Sequence, residues 1–453
     1  MTPLEQKAAY SLASIFMLRM LGLFMILPVF SLYAEELEGS TPALIGLAVG
    51  IYGLTQAILQ MPFGMLSDRI GRKPVIIAGL IIFAIGSVVA AMADTAIGVV
   101  IGRAIQGAGA IAATIMALAA DLTREEHRLK AMAVIGMSIG VSFSVALIAG
   151  PVLNSWIGVA GIFWLTAILA IGGIAVVKYV VPDPKCSTFH RDAEPVPAQF
   201  KTVLADGQLL RLDFGIFALH MILTATFVVL PLALRDHASL AVESHWKIYL
   251  AVMVISMVAM VPLIIRAEKR RRMKQVFVSA VGVVGIAQLC LAGSYDSVTG
   301  IFVSLLLFFV AFNVLEASLP SLIAKTAPPD KKGTAMGVYS SSQFFGAFCG
   351  GVTGGWLYGT VGIESVFVFS AFIALMWFLL AISMRSPRYL GTHMINVGEI
   401  SEEEATLLAA RLTQVTGVAE VVVIAEDGVA YLKVDNHALD TEELEKFSIA
   451  EPA

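Results

Sequence analysis

Four ionisable residues fall deep inside stretches that are otherwise uncharged: Arg19, Arg103, His220 and Glu316. A charge at the centre of a bilayer costs roughly 2.5–3.5 kcal/mol on insertion scales, so such residues face a cavity or one another and are functional by default. A carboxyl group taken out of water can bind a proton, which makes Glu316 the expected proton carrier. His220 comes second, because an imidazole exchanges its proton near neutral pH, although a lone histidine in a helix is more often structural. Arg19 and Arg103 keep their charge and are expected to serve as counter-charges or anion ligands. Ion pairing that serves structure alone is the competing reading. Asn313 lies one turn before Glu316, and Tyr52, Gln56 and Gln60 form an i, i+4, i+8 polar stripe. These are candidate contacts for a small molecule, and equally candidate bonds between helices.

The elements that must position these residues are transmembrane helices. Apolar residues make up 58% of the 453 and charged residues only 14%, with a mean hydropathy of +0.85. That composition excludes a soluble domain of this length. A bilayer core takes about 20 apolar helical residues. Runs of that size fall near 10–33, 44–66, 74–93, 96–120, 131–154, 158–181, 213–234, 247–265, 275–294, 298–324, 333–358 and 363–384, so the expected fold is all-α with twelve spans. The four charged positions lie in the first, fourth, seventh and tenth of these, the placement expected if those helices line one central pathway.

Lysine and arginine concentrate in alternate connections, including Arg69, Arg72 and Lys73, Arg124, Arg128 and Lys130, and the run Lys269 to Lys274. The opposite set is nearly free of them: 34–42 carries Glu35, Glu36 and Glu38 and no base, and only Arg235 and Lys247 break the pattern. The positive-inside rule then places both termini in the cytoplasm of a multi-pass protein of a bacterial inner membrane, with an even number of spans. The apolar run near the N-terminus is of span length and lacks a small-residue cleavage site, so a cleavable signal is not expected.

A polar segment, 182–206, divides the helices six and six, giving bundles at 1–181 and 207–385. The halves resemble each other. Shifted by 200, Pro62 meets Pro262, Asp68 meets Glu268 and Arg72 meets Arg272; shifted by 204, Gly150, Gly158 and Phe163 meet Gly354, Gly362 and Phe367. Parallel repeats of this kind place a binding site near the midplane between them. Residues 386–453 form a different unit. A strand at 394–397, a helix at 401–415 opened by a Ser401/Glu404 capping box, a hairpin of 418–424 and 429–434 around Glu426-Asp427-Gly428, and a short helix at 440–447 predict a ferredoxin-like βαββα domain on the cytoplasmic side.

The sharpest motif is Gly64-Met65-Leu66-Ser67-Asp68-Arg69-Ile70-Gly71-Arg72-Lys73. Gly64 permits close helix approach and Gly71 a tight turn, while Asp68 can face a helix N-terminus and Arg72 can hold a carboxylate. The stretch resembles the loop signature G-x-L-A-D-x-x-G-R-K of the major facilitator superfamily. The resemblance implies a conformational latch in which Asp68 contacts the start of the eleventh span near Gly333, with an acid at the end of the fourth span, for which Asp121 is the candidate. The second-half copy, Glu268 to Arg272, lacks the glycine, and the same latch is not expected there. Arg103-Ala104-Ile105-Gln106-Gly107-Ala108-Gly109-Ala110 resembles the family's R-x-x-Q-G-x-G-A motif, which implies a part in proton coupling and places Gln106 beside the pathway. Gly150-Pro151 resembles the family's antiporter motif G-x-x-x-G-P-x-x-G-G, with Ala146, Asn154 and Ser155 at its other glycines, and marks a helix kink. Gly346, Gly350 and Gly354 form a small-residue stripe suited to helix packing.

Together these features predict a proton-coupled transporter of a small molecule, of the drug:proton antiporter type, exporting by alternating access. A symporter or uniporter on the same scaffold, and a membrane sensor signalling through the C-terminal domain, are the rivals. No P-loop, nucleophile–base pairing or metal-ligand spacing is present in the sequence, so neither an enzyme, a cofactor nor a metal is expected. Cys186, Cys290 and Cys349 are far apart and lack CxxC spacing, and the C-terminal domain's first loop has none. No basic run predicts nucleic acid. The expected partners are the substrate, protons and lipid, with a protein or small ligand at the C-terminal domain and the chain a monomer.

Overall fold

Short polar residues open the long helices. In the computed structural model, which describes residues 1–183, 196–328, 331–385, 391–398, 400–425, 428–435, 438–445 and 447, Thr2 accepts from the Glu5 amide while the Glu5 carboxylate takes the Thr2 amide, and Pro3 starts α1 (Pro3–Phe24). After the short α2 (Phe30–Ala34), Thr41 caps α3 (Pro42–Ile70). Thr95 caps α5 (Ala96–Ala108), Asp206 caps α9 (Gly207–Leu232) and Ser297 caps α12 (Val298–Thr326). Each bond satisfies a helix-end amide that has no intrahelical partner and contributes about 1 kcal/mol. The other helices are α4 (Arg72–Ala91), α6 (Ala112–Asp121), α7 (Glu125–Tyr179), α8 (Phe200–Ala205), α10 (His245–Lys269), α11 (Met273–Ser294), α13 (Lys332–Thr360) and α14 (Ile363–Ile382).

Among the described residues, ten helical segments are long and apolar enough to cross a membrane. α7 is two helices that meet at Gly158, whose φ 68° and ψ 174° are not helical, and they correspond in position to the fifth and sixth expected spans. The eleventh expected span is α13, 29 residues long, whose glycines and serines keep its hydropathy below that of its neighbours. The fourth expected span is broken at Gly109, Ala110 and Ile111 into α5 and α6. Gly109 sits against the Gly79 carbonyl of α4, where a Cβ would collide, so close packing and the break coincide.

Backbone geometry repeats between the halves. Gly362 has φ 117° and ψ 177°, matching the turn at Gly158, and Phe163 and Phe367 are both fully buried beside these turns. Gly150 packs on the Met25 carbonyl of the first helix and Gly354 on Ala225 of α9. Gly71 takes φ 95° and, at the equivalent place, Arg271 takes φ 51°. A non-glycine residue there costs about 1–2 kcal/mol, so the second half keeps the turn without its glycine.

The two halves meet along α3 and α13. Gly46 faces the Gly351 carbonyl, Gly50 the Phe348 carbonyl and Gly53 the Phe344 carbonyl, all too close for a side chain. Farther along, Gln60 donates to Ser341 Oγ at 2.8 Å. Beyond the glycines, at the end where the connections carry few basic residues, Arg235 pairs with Glu35 at 2.7 Å. The halves are therefore closed against each other at this end.

The C-terminal unit runs β1 (Gly391–Asn396), α15 (Glu402–Leu412), β2 (Val418–Ile424), β3 (Val429–Val434) and α16 (Thr441–Glu445). The sheet order is β1-β3-β2, antiparallel throughout, with Leu432 opposite both His393 and Val421. Leu412, Val415, Leu432 and Val434 fill its core. The first strand begins at Gly391, earlier than expected, because pairing with β3 continues to Val434. Cys186 with the rest of 184–195 in the linker, and the turn residues Glu426 and Asp427, lie outside the described residues. The unit touches the helices through Lys433 Nζ, which donates to the Lys325 carbonyl at 3.1 Å, and Asp435, 3.9 Å from Arg271.

Candidate functional site: two polar clusters and a charged latch

The four charged positions are held in two pairs, one in each half. In the first half, Arg19 of α1 and Arg103 of α5 are 2% and 3% exposed, with guanidinium carbons 5.9 and 5.1 Å from the centre of the Tyr52 ring. Tyr52 and Gln56 point into this half because they lie one turn apart on α3. Arg19 donates to Gln56 Oε1 at 2.5 Å, and Arg103 donates to Gln106 Oε1 at 2.9 Å and to the Ala48 carbonyl at 3.4 Å. Gln106 donates in turn to Ser87 Oγ at 2.7 Å. Arg19 Nε and Nη1 have no hydrogen-bond partner among the described residues. Arg19 also lies 5.6 Å from the centre of the Phe83 ring, so the two buried cations are held by amides, a backbone carbonyl and two aromatic faces. Gly107, the motif glycine after Gln106, lies where a Cβ would strike the Tyr52 carbonyl and Thr55. Its role is close approach of α5 to α3.

In the second half, His220 of α9 and Glu316 of α12 share Gln343 of α13. The Gln343 amide nitrogen lies 2.8 Å from His220 Nε2 and 3.4 Å from Glu316 Oε1, and His220 Nε2 is 4.0 Å from Glu316 Oε2. His220 Nδ1 is 3.3 Å from the Ile216 carbonyl, which can only accept. The network therefore assigns the proton to Nδ1 and leaves Nε2 to accept from Gln343. Protonating Nε2 removes that acceptor and converts the 4.0 Å approach to Glu316 into an ion pair. The arrangement can couple proton uptake to a change in which helices are bonded together.

Phe344, next to Gln343, packs on Tyr52 with ring centres 6.4 Å apart, so the two clusters approach each other across the α3–α13 contact. Asn313 donates to Ser256 Oγ at 3.1 Å and ties α12 to α10. Gln60 bonds across the halves rather than into either cluster. Gly150 and Pro151 bring α7 against the residues that follow α1, where a Cβ at Gly150 would lie 3.0 Å from Pro28 Cγ.

At the far end of α3 the sequence motif folds into a fork. Arg72 donates through Nε to Asp121 Oδ2 at 3.2 Å and through Nη1 to Ser67 Oγ at 2.7 Å and to Asp68. The side chains of Arg72 and Asp121 are 2% and 0% exposed, that of Asp68 31%. Gly64 accepts from Ser67 Oγ at 2.6 Å and faces Ala113, leaving 3.2 Å for a Cβ. Lys73 donates to the Val181 carbonyl at 2.7 Å and pairs with Asp183 at 2.6 Å. Arg69 is exposed. At the start of α13, Thr334 accepts from the Val196 amide and donates to Gln199 Oε1, both at 2.9 Å, which ties this helix start to the linker.

Gln343, Ser87 and Ser67 complete these networks and were missed by inspection of charge alone. Gln343 was signalled as a polar residue inside an apolar run, and Ser67 sits at a variable place of the loop motif.

The family model for the Major Facilitator Superfamily matches residues 12–346 and 271–393. The chain is 48% identical to the inner membrane transport protein YajR of Escherichia coli (strain K12) over 98% of both chains. It is 27% identical to the multidrug resistance protein MdtH of Proteus mirabilis (strain HI4320), covering 76% of this chain and 84% of that one. Among solved structures, a bacterial homologue of the human lysosomal transporter Spinster, inward-facing and occupied, superposes with a TM-score of 0.70 at 14% identity, covering 84% of this chain and 97% of that one. Helical architecture, loop motif and family match agree, and the chain belongs to the major facilitator superfamily.

Proposed function

We propose that this protein is a proton-coupled secondary transporter that exports a small molecule by antiport, alternating access between two six-helix bundles of an inner membrane. The observation that carries the reading is Gln343 bridging His220 and Glu316, three side chains from three helices at the interior of the second half. A proton taken up there changes the bonding between α9, α12 and α13, and α13 is also the helix packed on α3 of the other half. Proton occupancy thereby acts on the packing that closes the molecule. Twelve spans follow if α7 crosses twice about Gly158 and α13 crosses once. The sheet order β1-β3-β2 supports a ferredoxin-like C-terminal domain, to which we assign a regulatory or interaction role. The names of YajR and MdtH, a transport protein and a multidrug resistance protein, support transport and export.

A symporter or uniporter on the same scaffold is separated by direction. A ligand is first found by thermal shift with a panel of organic cations and anions, then followed in proteoliposomes under an imposed pH gradient. Antiport moves protons against the ligand, symport moves them with it, and a uniporter moves none. Glu316→Gln is expected to abolish proton-driven flux while the protein remains folded. Binding without flux in the unsubstituted protein would favour a sensor.

A further inference from the structure

One buried carboxyl group has no part in either cluster. Asp213 lies on α9, 5% exposed, and neither of its oxygens has a hydrogen-bond partner among the described residues. It is six residues from Gly207, about 9 Å along the helix from the end that carries the basic loops, and seven residues, two turns, before His220. Asp213 and His220 thus share a face. On the facing helix α13, Tyr339 and Gln343 share a face one turn apart. Tyr339 is 4% exposed, its hydroxyl also lacks a partner among the described residues, and it lies within electrostatic reach of both Glu316 and Asp213. Glu316 Oε2 is a fourth buried oxygen without a hydrogen-bond partner among the described residues. Two unpartnered polar groups, Asp213 and Tyr339, thus lie two turns and one turn before the cluster residues His220 and Gln343 on their own helices, toward the basic-loop end.

An ionised carboxylate is not kept in such a place without a partner, so Asp213 holds a proton here. Among the described residues no base donates a hydrogen bond to it, and Tyr339 is within electrostatic reach both of it and of Glu316. On its own helix Arg211 bonds the Gly207 carbonyl and Ser383, and on α8 Lys201 is exposed. His220 is engaged by Gln343 and Ile216.

We propose that Asp213 is a second proton-binding station, and that Tyr339 passes protons between it and Glu316. The proposal rests on Glu316 being the proton site of the preceding section. In the transfer the Asp213 carboxyl gives its proton to the Tyr339 oxygen as the Tyr339 hydroxyl gives its own to the Glu316 carboxylate. Tyr339 ends as a neutral phenol, Asp213 as a carboxylate that is recharged from water at the basic-loop face, and one proton has moved. Across a gap longer than a hydrogen bond the transfer requires a bridging water.

The test is infrared spectroscopy of the full chain in lipid vesicles near neutral pH, following the carbonyl stretch of protonated carboxyls and its shift on exchange into heavy water. Asp213→Asn is expected to remove one protonated-carboxyl band and Asp213→Glu to restore one at a shifted position. Tyr339→Phe is expected to leave both bands and slow the exchange at Glu316 about tenfold. An unchanged spectrum in Asp213→Asn, unchanged exchange in Tyr339→Phe, or loss of the Asp213 band on adding sodium chloride overturns the proposal, the last by making the site a cation site. Glu316→Gln reports separately: if it removes no band while Asp213→Asn does, the reading of Glu316 has failed and Asp213 remains a station without that destination.

Discussion

Glu268 and Lys325 form a direct ion pair at 2.8 Å, at the places that Asp68 and Asp121 hold in the first half. In the first half two acids need Arg72 between them; in the second, one acid has become a lysine and the pair closes without a bridge. The expectation that the second copy lacks the first half's latch thus meets a different device at the same site. Lys325 also offers its carbonyl to Lys433, and the neighbouring Arg271 approaches Asp435, so the C-terminal unit rests on this second-half pair.

The Glu268–Lys325 pair is expected to be weak, because its side chains are 43% and 21% exposed. Pairs of this kind are worth about 0–1 kcal/mol. Glu268→Lys or Lys325→Glu alone should lower the melting temperature slightly, and the double swap should restore it. Scanning calorimetry in detergent checks this, and an additive double variant would show that the two charges do not interact.

Arg72 should matter far more. Removing it takes the Nε donor from Asp121, whose side chain is fully buried, and breaking a buried pair costs about 3–5 kcal/mol. Arg72→Ala is expected to be destabilised well beyond either second-half variant. Arg72→Lys recovers only part, since one ammonium cannot reach Ser67, Asp68 and Asp121 with the geometry of a guanidinium. Melting curves of the two variants in lipid nanodiscs decide it.

Gly46 and Gly351 set how closely α3 and α13 approach. A leucine at Gly46 meets the backbone of Gly351 and Gly355 and must push α3 from α13; overpacking of a filled interface costs about 1–3 kcal/mol. With Cys186, Cys290 and Cys349 replaced by serine, a cysteine at Ser341 should react faster with an impermeant maleimide from the acidic-loop side in Gly46→Leu than in its absence. Equal rates would show that closure tolerates the side chain.

Gln343→Leu separates the two acceptors that the amide now joins. Ligand binding should persist, because neither arginine is touched, while flux loses its dependence on the imposed pH gradient. Gradient-driven flux that survives in this variant counts against the bridge as the coupling element.

Much of the fold was legible because a bilayer leaves a simple imprint. Apolar runs of span length, basic residues in alternate loops and recurring Gly150/Gly354 and Gly158/Gly362 positions follow from hydrophobic transfer and helix packing alone. The strands 418–424 and 429–434 were equally plain, because strand alternation and a capping box at Ser401 are local signals. The break at Gly109 was not, since it reflects the approach of a neighbouring helix.

The sequence by itself determined which positions carry charge into the apolar spans, Arg19, Arg103, His220 and Glu316, because desolvation makes such residues rare enough to stand out. Tertiary structure decided how they are paired. That Arg19 and Arg103 share Tyr52, that His220 and Glu316 share Gln343, and that Asp213 and Tyr339 are buried without hydrogen-bond partners among the described residues depend on helix rotation and on distances of a few ångströms between residues far apart in the chain. Hydrogen bonds are fixed by that geometry, and no periodicity along one strand of sequence encodes it.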